Sequence, residues 1–422
     1  MRVEINDKKN FINMFNQLFI NNKIDRINSI SIDSRIIERD DIYIPIKGKK
    51  YDGHNFIQNA LDSGALLCFS ENNTKDKRII NTSSNLQIIN SLASGWKKIT
   101  HSKIIGITGS NGKTTTKELL YKILTSKYNC SKNVGNYNSL LGLPLSFLNS
   151  SVDDDYCILE YGANKPNEID VLCKIVQPDY SLITNISDAH IGNYKNLNEL
   201  IQTKFAIYNN LQRSGVAFIN NKVNKMESIK NSCKIVEFNT NDKSAYDIPN
   251  HLKHLKDIIS SCFVIAEYFK IDFNSINNNI KTFNLPNGRG KIIYKKGLEF
   301  IDDSYNANPS SVILGINRLN NWDNKGKKIF IFGDMLELGE SEIHEHKLIA
   351  KKIDDSKINI LLTFGNLSKI TSSNIKNSKI ITNHYNNYNS LINYINQNFN
   401  SKDTIYIKGS RSMHLNKIIE NL

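Results

Sequence analysis

The run Gly106-Ile107-Thr108-Gly109-Ser110-Asn111-Gly112-Lys113-Thr114-Thr115 closes an apolar segment that begins at Lys103 and opens a helical segment, Thr114–Lys127. A buried strand that turns through glycines into a helix is the local signature of a phosphate-binding loop. Phosphate oxygens need converging backbone N–H groups, and glycine lets the chain curl closely enough to supply them. The positive end of the helix dipole adds to that field. Gly109, Ser110, Asn111, Gly112, Lys113, Thr114 and Thr115 are therefore the nucleotide-binding candidates. Lys113 has the reach for the β- and γ-phosphates, and the Thr114 hydroxyl can hold Mg²⁺. The spacing is a variant. The generic pattern has glycine five residues before Gly112, where Ile107 stands, and the glycines fall at 106 and 109 instead.

Outward from this loop, short apolar runs at Tyr156–Glu160, Tyr180–Asn185, Val216–Asn220, Lys328–Phe332, Asn359–Phe364 and Thr404–Lys408 read as strands. Helix-length segments separate most of them, which predicts an α/β protein with parallel sheets. Lys291–Lys295 and Leu298–Asp302 flank Lys296-Gly297 and read as a hairpin. The polar stretch Glu71–Asn85 reads as a loop, followed by a helix through Leu92 and Trp96. A chain of 422 residues exceeds one core. Boundaries near residues 100 and 286 divide it into units 1–100, 101–286 and 287–422.

Composition narrows the function. The net charge of +13 is spread over scattered lysines, and aromatics are not interleaved with basic runs as nucleic-acid platforms require. A positive field also suits polyanionic nucleotides. No stretch of 18 apolar residues occurs, so no membrane insertion is expected. The first residues lack the apolar core of a signal peptide. Six cysteines without metal-binding spacing fit reduced thiols in the cytoplasm.

Three further residues carry candidate chemistry. Glu160 ends an apolar strand, where an acid either binds Mg²⁺ beside the phosphate loop or faces water. His190 follows another strand in Thr184-Asn-Ile-Ser-Asp-Ala-His190; a loop histidine is structural more often than it is a ligand. Lys204 shares a helical face with Leu197, Leu200, Ile201, Ile207, Tyr208 and Leu211. Periodicity alone favours a lysine that snorkels outward. The alternative is a lysine modified or paired within a site.

Together these segments resemble the Mur ligase family. The loop matches that family's phosphate loop, displaced glycine included. Gly135-Asn-Tyr-Asn138-Ser-Leu-Leu-Gly142-Leu-Pro144 is similar to the segment after its loop helix. Leu159-Glu160-Tyr-Gly162-Ala-Asn164 and Ile183–His190 are similar to its magnesium segments, and Lys204 stands where the family carries a carbamylated lysine. Asp302-Asp303-Ser304-Tyr305-Asn306-Ala307-Asn308-Pro309-Ser310, Gly333-Asp334-Met335-Leu-Glu337-Leu-Gly339 and Lys408-Gly409-Ser410-Arg411-Ser-Met413 resemble the member that adds a dipeptide. Ile32-Asp33-Ser34-Arg35 and Gly48-Lys-Lys-Tyr-Asp52-Gly53-His54-Asn-Phe56 resemble the family's UDP-binding segments.

The resemblance covers essentially the whole chain. It implies three domains: a UDP-binding N-terminal domain, a central P-loop ATPase domain with a parallel sheet, and a Rossmann-like C-terminal domain. It also implies ATP-dependent addition of D-alanyl-D-alanine to a UDP-N-acetylmuramoyl tripeptide by a cytoplasmic monomer. Lys113, His190, Lys204 and Arg289 become the catalytic candidates. Thr114, Glu160, His190 and Lys204 become the magnesium candidates, and Asp303 the ribose contact. Ser34, Arg35, Asp52, His54, Asn138, Asn306, Asn308, Lys408, Ser410 and Arg411 become the substrate candidates.

Three features depart from the family pattern. Ala206 replaces a usual Glu, Asn221 replaces a usual Asp, and His251-Leu252-Lys253-His254-Leu255 lacks both asparagines of an adenine-contacting segment. The alternatives are a diamino-acid-adding relative, which the three late motifs disfavour, and a nucleotide-binding chain without turnover.

Overall fold

The computed structural model describes residues 1–48, 50–187, 191–223, 229, 232–240 and 247–422. Three sheets organise them. The first contains Arg2–Glu4, Ser29–Ser31, Ile42–Tyr43, Leu67–Ser70 and Ile79–Asn81 in that order, and only its first pair is antiparallel. The stretch Glu71–Asn85 is thus not all loop, because Ile79–Asn81 forms an edge strand. Three-residue strands are too short to show a period of two, which is why most of this sheet leaves no pattern.

The central sheet is wholly parallel, in the order Lys234–Phe238, Val216–Asn220, Tyr180–Ile183, Lys103–Thr108, Tyr156–Glu160 and Cys130–Lys132. Its four inner strands bury both faces and therefore read as unbroken apolar runs. Successive side chains point to opposite faces. Ile104 and Leu159 join Phe11, Phe15 and Trp96 of the N-terminal unit in one apolar cluster. Ile105, Ile107 and Ile158 face Leu120 and Ile265 in another. The N-terminal and central units therefore share a core, and Trp96 Nε1 donates to Ser150 Oγ at 2.9 Å within it.

The third sheet runs Lys291–Lys295, Leu298–Asp303, Thr404–Lys408, Lys328–Gly333, Ile360–Phe364 and Ile381–Tyr385. The expected hairpin forms its antiparallel edge, and the remaining pairs are parallel. Its two apolar clusters contain only residues beyond 290. The six cysteines are unpaired, and four are buried.

Candidate active site

Strand register builds the phosphate end. Ile107 pairs with Glu160, and Thr108 pairs with Ile183. The loop after Thr108 therefore leaves the sheet between the acid and the segment after Ile183. The chain order of neighbouring strands also reverses there, the place where open α/β sheets bind ligands. Gly109 has φ 142°, and a Cβ on it would stand 2.0 Å from Thr184 Oγ1. Gly112, at φ 81°, caps the helix Lys113–Leu124. Neither position accepts a larger residue without strain. The strand read as Tyr180–Asn185 ends at Ile183 because its last residues bind this loop. Asn111 N donates to Asn185 Oδ1 at 3.0 Å, and Thr184 Oγ1 donates to Asn111 O at 2.6 Å.

Lys113 curls over its own loop, donating to Gly109 O at 2.7 Å and Ser110 O at 3.2 Å. Burial lowers its pKa, Glu160 opposes that shift, and the Arg289 charge adds to it. Glu160 is 2% exposed. It accepts from Thr114 Oγ1 at 2.9 Å and from Asn138 Nδ2 at 2.7 Å. Asn138, read as a substrate residue, is here a partner of the acid. The buried Lys117 was missed. It donates to Asn133 O and Gly135 O, and Asn133 Oδ1 in turn accepts from Glu160 N. Lys117 lies one turn beyond Lys113 on the face of Leu120 and Leu124, so the periodicity that singled out Lys204 could also have found it.

The buried Glu160 and the half-buried Thr114 offer hard oxygen donors, which suits Mg²⁺ completed by phosphate oxygens and water. Lys204 is 3% exposed, so the snorkelling expectation fails. Burial, with the Lys113 charge second, pushes its pKa down to about 7. No described residue forms a hydrogen bond or ion pair with its ammonium. His190 lies outside the described residues.

The three late segments converge on the carboxyl ends of adjacent strands. Asp303 pairs in register with Lys408, and Lys408 with Phe332. Lys408 is buried and donates to Asp303 Oδ2 at 2.6 Å and Asn306 O at 3.1 Å, so these three candidates bind one another. Asp334 Oδ1 accepts from Ser368 N at 2.7 Å, and its carbonyl accepts from Ser410 N at 2.9 Å. Ser410 Oγ accepts from Leu336 N at 2.9 Å, which leaves its own proton free to donate.

Polar contacts dock this sheet on the phosphate loop. Asn308 Nδ2 donates to Asn111 Oδ1 at 2.8 Å, and Asn111 Nδ2 donates to Ser310 Oγ at 3.0 Å. Arg289 Nη2 reaches Thr114 Oγ1 at 3.3 Å. Arg318, which carried no sequence signal, donates to His251 O at 3.5 Å. A cleft of about 1540 Å³ lies between the two units, lined by Lys113, Glu160, Arg289, Asp303 and Arg411 among others. The segment Asn250–Leu255 forms one wall. Leu252 is fully buried in the central core, while His251, His254 and Leu255 line the cleft. Burial, helped by Arg318, lowers the His254 pKa to about 3, so its ring is neutral at pH 7.

The family comparisons agree with this layout. The Mur ligase middle domain matches residues 107–284, and the Mur ligase glutamate ligase domain matches residues 288–411. The Mur ligase family catalytic domain matches residues 26–104. A UDP-N-acetylmuramoyl-tripeptide–D-alanyl-D-alanine ligase of Buchnera aphidicola subsp. Baizongia pistaciae is 32% identical over 94% of this chain and 92% of its own. The chain belongs to the Mur ligase family. A crystal structure of MurF from Acinetobacter baumannii superposes on this Mur ligase with a TM-score of 0.86 at 25% identity, covering 97% of this chain and 98% of that one. MurF from Thermotoga maritima in complex with ADP gives 0.78 at 25% identity, covering 93% and 96%. The Mur ligase architecture of three α/β domains is thus the fold of this chain.

Four substrate candidates of this Mur ligase stand apart from the cleft. Arg35 forms a two-pronged pair with Asp33, which caps the short helix Ser34–Ile36. His54 Nδ1 lies 2.7 Å from Asp52 Oδ1. Neither Ser34 nor these pairs line the cleft.

Proposed function

We propose that the chain joins D-alanyl-D-alanine to a UDP-N-acetylmuramoyl tripeptide in an ATP-driven ligation, completing the peptide of a peptidoglycan precursor. The observation that carries this reading is the single cleft into which the phosphate loop and all three dipeptide-type segments open. Residues 101–286 bind ATP, residues 287–422 close over it, and residues 1–100 bind the UDP end through Ser34, Arg35, Asp52 and His54. A reaction that consumes ATP and a UDP-linked peptide belongs in the cytoplasm. Among the described residues no helix is long and apolar enough to cross a membrane. Every residue this reading invokes lies within one chain, and a monomer is the working unit proposed.

A carboxylate is a poor electrophile at neutral pH. An oxygen of the tripeptide carboxylate attacks the γ-phosphorus of ATP, the bond to the β-phosphate oxygen breaks, and ADP leaves an acyl phosphate. The neutral amine of the dipeptide then attacks the acyl carbon and loses a proton. The tetrahedral species collapses by expelling phosphate, leaving the amide. Lys113, Arg289 and the loop N–H groups hold the negative charge that grows on the transferring phosphoryl group. Two Mg²⁺ ions, one held by Thr114 and Glu160 and one by His190 and carbamylated Lys204, would supply Lewis-acid charge neutralisation. Asp303 takes the ATP ribose. Asn138, Asn306, Asn308, Lys408, Ser410 and Arg411 shape the peptide side, with Arg411 offering guanidinium N–H groups to the dipeptide carboxylate.

Mass spectrometry of the product tests the reading. With ATP, UDP-muramoyl tripeptide and D-alanyl-D-alanine, the expected product is the UDP-muramoyl pentapeptide. UDP-muramoyl dipeptide with a diamino acid should give none. The reverse preference would assign the chain to the diamino-acid-adding branch.

A further inference from the structure

Tyr305 has no role in the scheme above, yet it touches Arg289 and Arg411, two of the three arginines that line the cleft among the described residues. The Arg289 guanidinium carbon lies 3.6 Å from the centre of its ring, and that of Arg411 lies 5.0 Å away. Arg411 Nη1 also donates to the phenol oxygen at 2.9 Å. An aromatic face attracts a guanidinium electrostatically. The ring thus holds Arg289 mainly by its π face and Arg411 mainly by its oxygen. The backbone is stitched in the same sense. Tyr305 N donates to Gly288 O at 3.0 Å, and Gly290 N donates to Asp302 O at 2.7 Å. The turn that carries Arg289 is therefore fixed to the segment that carries Tyr305.

We propose that Tyr305 is a positioning residue for dipeptide addition, setting the separation between the guanidinium at the phosphoryl group and the one at the dipeptide carboxylate. The proposal rests on the reading of Arg289 and Arg411 given above. The attacking amine must meet the acyl carbon at about 3–3.5 Å, and small misplacements of anchoring groups are costly in rate. One anchor of that geometry is Arg289, which reaches Thr114 beside the transferred phosphoryl group. The other is Arg411, directly after Ser410, whose place is set by Asp334 and Leu336. Tyr305 is the side chain that bridges the two.

Tyr305→Phe keeps the ring and removes the oxygen, whereas Tyr305→Leu removes both grips. Steady-state kinetics with all three substrates separates these effects. Tyr305→Phe is expected to raise KM for D-alanyl-D-alanine about tenfold, the size of one lost charge-assisted hydrogen bond, with KM for ATP within about twofold. Tyr305→Leu is expected to raise the dipeptide KM further and to lower kcat by about tenfold or more. In an Arg411→Ala background, Tyr305→Phe should change the dipeptide KM no further, because the bond it removes is already gone. A Tyr305→Phe enzyme with an unchanged dipeptide KM, or one with the same fold-increase in both backgrounds, overturns the proposal. Absence of product from the unsubstituted enzyme would overturn the function itself, and this proposal with it.

Discussion

Replacing Lys113 by alanine is expected to lower kcat by about 10²–10³ while the protein stays folded. The lysine occupies the first turn of its helix, and among the described residues its ammonium bonds only carbonyls of its own loop. Alanine is the better helix former, so the substitution carries little conformational cost. What is lost is a positive charge aimed where negative charge accumulates as the phosphoryl group moves. A preorganised donor of that kind, in a site sheltered from water, lowers the barrier by about 3–4 kcal/mol. Rapid-quench measurement of ADP formation in the presence of both peptide substrates reads the effect directly, and thermal melting checks the fold. Near-normal ligation by a folded Lys113→Ala protein would remove the phosphate loop from the mechanism.

Lys204→Ala is expected to be nearly inactive, and acetate should restore part of the activity. A buried ammonium without a partner is unfavourable; among the described residues Lys204 has none, and burial brings its pKa to about 7. A large share of the amine is therefore neutral at pH 7–8 and able to react with CO₂. The resulting carbamate is a carboxylate, the kind of ligand Mg²⁺ prefers. The sign of the pH dependence follows. As pH falls through about 7, the amine takes up a proton, the carbamate is lost, and activity should decline with it. Stability shifts in the same direction. The unfolded lysine titrates near 10.5 and the folded one near 7, so between those values the unfolded chain binds more protons and stability rises with pH. Depleting bicarbonate should lower the activity of the unsubstituted enzyme, and adding it back should restore that activity. A fully active Lys204→Ala protein, assayed without added acid or bicarbonate, would exclude the carbamate.

The parts legible in the sequence were those where chemistry constrains residue type at short range. The phosphate loop needs glycine at 109 and 112 for backbone reasons, so it showed at once. The inner strands of the central and C-terminal sheets are long and buried, and their limits agree with the reading to within two residues, whereas the outer strands Cys130–Lys132, Lys234–Phe238 and Ile381–Tyr385 are short or partly exposed and were not read. The N-terminal sheet was not legible, since strands such as Ile42–Tyr43 offer no period to detect. Lys204 could be placed on an apolar face, but whether that face meets water or protein depends on distant segments. Tyr305 and Arg318 went unread for the same reason. Their partners lie on other strands and helices, and pairing of that kind has no spacing in the chain. The late motifs directed attention to Lys408 as a ligand-binding group, whereas the fold binds it to Asp303.

The two boundaries in this chain differ in what opening them would expose to water. The N-terminal and central units share an apolar cluster, so parting them would uncover hydrocarbon and carry a large positive heat-capacity change. The C-terminal unit keeps its own apolar clusters and meets the phosphate loop through Asn111, Asn308, Ser310 and Arg289. Water can replace each of those hydrogen bonds at little net loss. Swinging that unit away should therefore carry a much smaller heat-capacity change than parting the first boundary, and an enzyme that must release ADP, phosphate and a bulky peptide on every cycle can reopen without undoing its core.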